Sequence, residues 1–226
     1  MVPRRQQDRS KASIEQALAA ALELFSSQGF GATSMRQIAD RSGLSMGNLY
    51  HHFPSKETLF QQLLDDYLAR LTDPEHPLQK HFARAAFPDD LEEMAAIIEQ
   101  VVDDNARYIL LIYVDVVEFR GHHLRTFYEG MAARFQEVYG DKLEARKAAG
   151  GFGDVDPLVG VILAARWFFY FFTVEKCFGA PMHFGMKPKQ ATEEFIRLLR
   201  FGLLPRAEQP ARRRSGKPPR GARGGR

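Results

Sequence analysis

The sequence predicts an all-α protein in which a small N-terminal unit of three helices precedes a larger helical body. Apolar residues recur at intervals of three and four along most of the chain, which is the period of an amphipathic helix. Serine residues stand where three consecutive helices are expected to begin, and their hydroxyls can accept free backbone N–H groups. Residues 108–119 contain enough β-branched side chains for a buried strand, but nothing else in the chain offers a strand partner.

The first helix is expected from Ser10 to Gly29, with a glycine as its C-cap. Its apolar stripe follows helical spacing and consists of Ile14, Ala17, Leu18, Ala21, Leu22 and Phe25. Residues 1–9 precede it as a flexible basic arm, which has no apolar core and so does not resemble a secretory signal.

A short helix, a tight turn and a second short helix follow. Ser34 and Gln37 have the spacing of a capping box, in which each side chain binds the other residue's free backbone N–H. Gly43 tolerates the positive φ that the turn needs, and Ser45 can cap the second helix. This order is typical of a helix-turn-helix, whose second helix lies in the DNA major groove; an αα-hairpin without DNA is the alternative.

The neighbouring residues extend this pattern, which resembles the tetracycline-repressor (TetR) family of bacterial transcription regulators over residues 10–60. The resemblance is carried by Gly29-Phe30, Thr33-Ser34, Ile38-Ala39, Gly43-Leu44-Ser45, Gly47, Leu49-Tyr50, His52-Phe53 and Lys56-Glu57. It implies a helix-turn-helix DNA-binding domain over residues 10–56 and a helical effector-binding and dimerisation domain over residues 57–204. It also implies that double-stranded operator DNA is a partner.

The chemistry of the side chains suggests their roles on DNA. Gly47 leaves no side chain between backbone and duplex, Asn48 can pair with adenine, and Met46 can pack on a thymine methyl. Phosphate contacts, which position the protein without specifying sequence, are expected elsewhere. The further candidates in the DNA-binding set are Thr33, Ser34, Arg36, Ser45, Tyr50, His51 and Lys56. Leu49 and Phe53 are expected to face the core.

The body is predicted to be helical throughout. Ser55 caps a helix that runs through Leu68, and two more helices cover residues 91–102 and 108–119. The last three helices are expected over His122–Ala149, Asp156–Phe178 and Pro188–Leu204, with a glycine-rich loop at residues 150–153.

The helix Asp156–Phe178 is apolar nearly all round and must be covered on every side. In the family that the chain resembles, the last two helices pair with their symmetry mates, which implies a homodimer through Asp156–Phe178 and Pro188–Leu204; the alternative is that both complete the monomer core. A membrane span is disfavoured, because Arg166 lies at the centre of the apolar run and costs about 2.5–3.5 kcal/mol on insertion scales.

An apolar effector is expected between the helices His122–Ala149 and Asp156–Phe178, because both are rich in aromatic residues and basic groups lie beside them. A long apolar ligand with an anionic end, such as a fatty acid or an acyl-CoA, would suit such a pocket. The candidate ligand-binding residues are Arg120, His122, Arg125, Phe127, Met131, Phe135, Trp167 and Phe171. Ordinary core packing is the alternative for most of them.

Net charge and composition limit the other possible classes of function. Residues 1–56 carry a net charge of +3, residues 57–204 one of −7 and residues 205–226 one of +7. The last segment is rich in Arg, Gly and Pro and is expected to be disordered. Its charge supports an alternative function as a nonspecific nucleic-acid or anionic-surface binder. No catalytic motif is present, and no metal site or cofactor is expected. The single cysteine, Cys177, excludes an intrachain disulfide and a Cys-based metal site, and a reducing cytoplasm fits.

Overall fold

A computed structural model describes residues 4–84, 86–150, 152 and 155–202, and every regular element within them is an α-helix. The helices in chain order are α1 (Arg4–Gln28), α2 (Met35–Ser42), α3 (Met46–His52), α4 (Lys56–Thr72), α5 (Pro77–Ala83), α6 (Leu91–Asp104), α7 (Ala106–Glu118), α8 (Arg125–Ala148), α9 (Pro157–Lys176) and α10 (Pro188–Phe201). The predicted all-α fold class is confirmed.

The buried apolar side chains form two clusters, one for each part of the chain. The N-terminal cluster joins α1, α2, α3 and the first half of α4, while the second cluster lies among α5, α6, α8, α9 and α10. Helix α7 belongs to both, because Leu111 is buried in the first cluster and Ile109 in the second. The N-terminal unit and the body are therefore packed on opposite sides of α7.

Several helix boundaries differ from those expected. Helix α1 begins at Arg4, so residues 4–9 of the expected flexible arm are helical. Helix α8 begins at Arg125 and not at His122, because Arg120 and Gly121 have φ values of 57° and 72° and turn the chain after α7. The short helix α5 was not predicted from its sequence; Pro77 stands in its first turn, and His76 accepts the N–H of Leu78.

Helix α10 ends at Phe201, before Gly202 with its positive φ of 75°. The expected end at Leu204 lies outside the described residues. So do residues 1–3 of the arm and the whole basic tail from residue 205 onwards.

Among the described helices, α9 alone has the length and apolar composition of a membrane span, and half of its most apolar window is buried inside the protein. Its inner side carries Val161, Ala164 and Phe168, all buried, and α6 is the helix it contacts most extensively. The core helix of a globular protein passes the same length test. The packing on α6 favours that interpretation.

Candidate nucleic-acid interface and ligand cavity

The two helices of the predicted helix-turn-helix have the expected caps. Ser34 Oγ accepts the N–H of Gln37 at 3.2 Å, and Gln37 Oε1 accepts the N–H of Ser34 at 2.8 Å. Gly43 has φ 71°, and Leu44 N–H closes the turn on Ala39 O at 3.1 Å. These bonds satisfy the backbone groups at both ends of α2, so that the turn fixes the crossing of α2 and α3.

Helix α3 presents one face to the core and another to solvent. Ser45 Oγ accepts the N–H of Asn48 at 3.2 Å, while Leu49 is fully buried and Phe53 nearly so, as expected. Met46 is 38% exposed, and a Cβ added at Gly47 would meet no atom within 4 Å. The start of α3 is thus open for close approach by a duplex. The other open candidates are Ser34, Arg36, Ser45, Tyr50 and His51, all exposed.

Asn48 is half-buried, and its Nδ2 donates to Ser13 Oγ of α1 at 3.2 Å. This bond orients the amide towards the groove between α1 and α3. Residues of the first half of α1, none of them among the predicted DNA-binding residues, line the concave surface beside it. They are Gln6, Gln7, Arg9, Ser10, Lys11, Ser13 and Ile14, facing Asn48, His51 and His52. The basic residues Arg9 and Lys11 were the feature of the sequence that could have indicated a DNA contact here.

Asn48→Ala is expected to lower discrimination between operator and scrambled duplex by about 1–3 kcal/mol per half-site, because the bidentate amide is removed. Binding measured by fluorescence anisotropy on both duplexes checks this. Ser13→Ala is the matched control, since it removes only the partner on α1. Equal losses in both variants would mean that the α1–α3 bond matters and that Asn48 reads no base.

Two residues with predicted phosphate contacts have side chains that bind within the protein. Thr33 is only 2% exposed, and its hydroxyl donates to Gly29 O at 2.8 Å, so its side chain is not available to DNA. Lys56 is half-buried; its Nζ donates to Phe30 O and Thr33 O, both at 2.6 Å, and lies 4.0 Å from the centre of the Phe30 ring. The link between α1 and α2 has carbonyls that no helix satisfies, and Lys56 binds them.

Two adjoining pockets that open to the surface, called here the two chambers of a cavity, share walls from α4, α8 and α9. The chamber of about 300 Å³ reaches α7, and the one of about 170 Å³ reaches α5. Both are bounded by a shared wall of Leu71, Phe127, Met131, Arg166 and Phe169. Three of the predicted ligand-binding residues, Phe127, Met131 and Phe135, line this cavity, and it lies between the two expected helices.

The other predicted ligand residues lie elsewhere. The Trp167 ring is centred 3.7 Å from the Phe195 ring of α10 and 4.9 Å from that of Phe171, so both α9 aromatics belong to the core. Arg120, His122 and Arg125 are exposed and do not line either chamber. The turn before α8 thus places these three basic residues at the surface.

Arg166 and Arg134 supply the positive charge instead. Arg166 borders both chambers, with its Nη2 3.8 Å from Met131 Sδ and its guanidinium 5.7 Å from the centre of the Tyr128 ring. Burial raises the pKa of the Tyr67 and Tyr128 hydroxyls, which therefore stay protonated and able to donate at neutral pH. The lining is thus mostly apolar, with Arg166 in the shared wall, Arg134 in the smaller chamber and the neutral hydroxyls of Tyr67 and Tyr128 in the larger one.

Residues 17–63 match the family model described as bacterial regulatory proteins, tetR family. The chain is 28% identical over 139 residues to the transcriptional repressor KstR2 of Rhodococcus jostii, which covers 60% of this chain and 66% of that protein. It is 41% identical over 88 residues to the transcriptional regulator RutR of Escherichia coli, and this match covers 37% of this chain and 35% of RutR. The chain therefore spans less than two thirds of these curated relatives, which are transcription regulators and not enzymes.

Solved structures extend the similarity in fold over the whole body. The MbdR regulator from Azoarcus sp. CIB superposes with a TM-score of 0.59 at 20% identity, over 85% of this chain and 99% of that one. FadR from Bacillus subtilis, solved in complex with stearoyl-CoA, superposes with a TM-score of 0.56 at 15% identity, over 84% and 99%. At these identities the likeness is one of fold.

Proposed function

We propose that this chain is a TetR-family transcription regulator, a homodimeric repressor in the cytoplasm that releases a palindromic operator when an apolar effector binds. The observation that carries DNA binding is the start of α3. A capped helix there presents Met46, Gly47 and Tyr50 to solvent while Leu49 anchors it to the core. Such a helix can enter the major groove without disturbing the domain.

The exposed face of α9 supports a dimer. Val159, Leu163 and Tyr170 are exposed apolar residues on one face of α9, away from its buried residues, and Tyr170 also borders the larger chamber. Helix α10 differs, because its apolar side chains Phe195 and Leu199 pack against the chain's own core. We therefore propose that the stripe on α9 forms the centre of the seam and α10 its border. A two-fold dimer sets two recognition helices about one DNA turn apart, as a palindromic site requires.

The cavity supports an effector with an apolar body and an anionic group. Its walls are aromatic and aliphatic, and Arg166 is the cation that both chambers share. A fatty acid or an acyl-CoA has this chemistry, and the similar fold of FadR was solved with stearoyl-CoA. An effector acts only if it binds one of two conformations more tightly, and here it must favour the one whose recognition helices no longer match the operator.

The effector proposal predicts a result for the wild-type chain and one variant. A ligand at 100 times its dissociation constant should stabilise the fold by about 2.7 kcal/mol, which raises the melting temperature. Arg166→Gln should weaken fatty acids and acyl-CoAs while leaving uncharged analogues of equal length unaffected. The check is a melting panel of both ligand sets, together with release of operator DNA. Arg125→Gln is the control, since Arg125 lies outside the cavity. A panel in which nothing both raises the melting temperature and releases DNA would count against an effector.

The competing function is nonspecific binding to nucleic acid or an anionic surface through residues 205–226, which carry a net charge of +7. Selection of bound sites from a random DNA pool separates the two functions and also identifies the operator. Binding of the selected palindrome and a scrambled duplex is then titrated against salt. We expect the palindrome to bind typically 10³–10⁷-fold more tightly. Equal affinity for both duplexes would favour the tail, and a chain shortened after residue 204 would then lose all binding.

A further inference from the structure

The last residue of α7 contacts the link between α1 and α2. Glu118 Oε1 accepts the N–H of Phe30 at 2.8 Å, and Oε2 accepts the N–H of Gly31 at 2.6 Å. One carboxylate of the body thus binds two successive backbone donors of the DNA-reading unit, 87 and 88 residues away in sequence. Hydrogen bonds to an ionised acceptor are among the stronger ones in proteins.

Two glycines make this approach possible. A Cβ at Gly31 would lie 3.0 Å from Glu118 Oε2, and a Cβ at Gly29 would lie 2.9 Å from Oε1. Both distances are shorter than a normal contact between a side-chain carbon and an oxygen. On the other side, Lys56 of α4 binds the carbonyls of Phe30 and Thr33. The link is therefore held through its N–H groups by α7 and through its C=O groups by α4.

The same helix also forms a wall of the larger chamber. Ile109, Ile112 and Tyr113 of α7 line that chamber, and Glu118 lies six residues beyond Ile112, about 9 Å along the helix axis. The turn after α7 is fixed as well, because His123 Nδ1 lies 2.6 Å from the buried Asp115 Oδ1. The chamber wall and the Glu118 carboxylate therefore belong to the same helix.

We infer that Glu118 is a positioning residue for DNA reading, which holds the α1–α2 link in the place that aligns α3 with the operator and passes movement of α7 to it. This inference rests on the proposed function. A DNA-reading unit without this contact samples more orientations, and ordering it on the duplex costs affinity. A ligand in the larger chamber acts through the bond between Glu118 and the α1–α2 link. Helix α7, which carries Glu118, lines that chamber, and the link leads into the helix-turn-helix.

The first test measures amide hydrogen exchange in the full chain. In Glu118→Ala the Phe30 and Gly31 amides should exchange about tenfold faster, and affinity for the selected operator should fall by about tenfold. Glu118→Gln keeps one acceptor oxygen, so its exchange rates and operator affinity should lie between those of the wild type and of Glu118→Ala. The melting temperature should hardly change, because the pair is at the surface. Glu129→Ala on α8 is the matched control and should change none of these values.

The second test fills part of the larger chamber with a larger side chain in place of a ligand. Ile112→Phe adds a ring to the chamber and should weaken operator binding in the wild-type background; Ile112→Met serves if the ring unfolds the protein. In the Glu118→Ala background the same change should have little effect, since the contact that transmits it is absent. Additive losses would overturn the inference, because independent sites add.

The outcomes also separate this inference from the proposed function. Unchanged exchange at Phe30 and Gly31 in Glu118→Ala overturns the positioning role even if operator binding is specific. Faster exchange with an unchanged operator affinity overturns it too. A pool selection that yields no specific site overturns the proposed function, and the positioning role with it, whatever the exchange rates are.

Discussion

Leu163→Asp is expected to convert the dimer into a folded monomer and to cost operator affinity by a factor on the order of 10²–10⁴. Leu163 is 58% exposed in the single chain, so a carboxylate there meets solvent and leaves the protomer fold intact. In the proposed seam the same carboxylate would be buried without a partner, which costs several kcal/mol. Each monomer then binds one half-site alone, and the increase in affinity that comes from binding both half-sites at once is lost.

Sedimentation at micromolar concentration checks the dimer, and melting checks the fold. Val116→Asp on α7 is the matched control, because Val116 is similarly exposed but lies off the α9 stripe and lines neither chamber. A Leu163→Asp protein that remains dimeric would place the seam elsewhere. Leu199, which the sequence would offer for the same test, packs on the chain's own core, so a charge there would disturb the monomer as well.

Gly47→Leu is expected to leave stability nearly unchanged and to abolish specific DNA binding. The position faces open space in the protein, so a larger side chain causes no internal clash, although leucine slightly favours the helix over glycine. On the duplex the side chain would stand between the backbone of α3 and the base edges. Each side chain that can then no longer pair with a base forfeits about 1–3 kcal/mol of discrimination, and both half-sites are affected.

The measurement is operator affinity by anisotropy beside a thermal melt of each variant. Gly43→Leu is the contrasting variant, because Gly43 has φ 71° and a side chain there is strained. It should lose stability as well as binding. Full operator affinity in Gly47→Leu would show that the start of α3 does not approach the bases.

Local chemistry along the sequence was enough to predict the helix-turn-helix. The capping box of Ser34 and Gln37, the turn at Gly43 and the cap at Ser45 all act over three or four residues, and all have the expected geometry. The burial of Leu49 likewise follows from helical spacing. Such interactions can be predicted because the partners are neighbours in sequence.

The predicted ligand-binding residues show which part of the structure could not be predicted from the sequence. Phe127 and Met131 line the cavity as expected, whereas Trp167 and Phe171 have the same aromatic chemistry and pack in the core. Arg166 borders both chambers, although the sequence singled it out only as a charge within an apolar run. The face of α9 that each side chain occupies depends on where α6, α8 and α10 pack.

The sequence by itself determined the serine caps of α2, α3 and α4 and the buried face of α3, since hydrogen bonds and apolar spacing over a few residues fix them. Only the tertiary structure decided the uses of Lys56 and Glu118, which bind the same link from opposite sides. Their partners lie 26 and 88 residues away, and no local pattern encodes such a contact. Folding brings these groups together because the two apolar clusters are buried on opposite sides of α7, and a charged side chain then binds whichever backbone groups the helices leave unpaired.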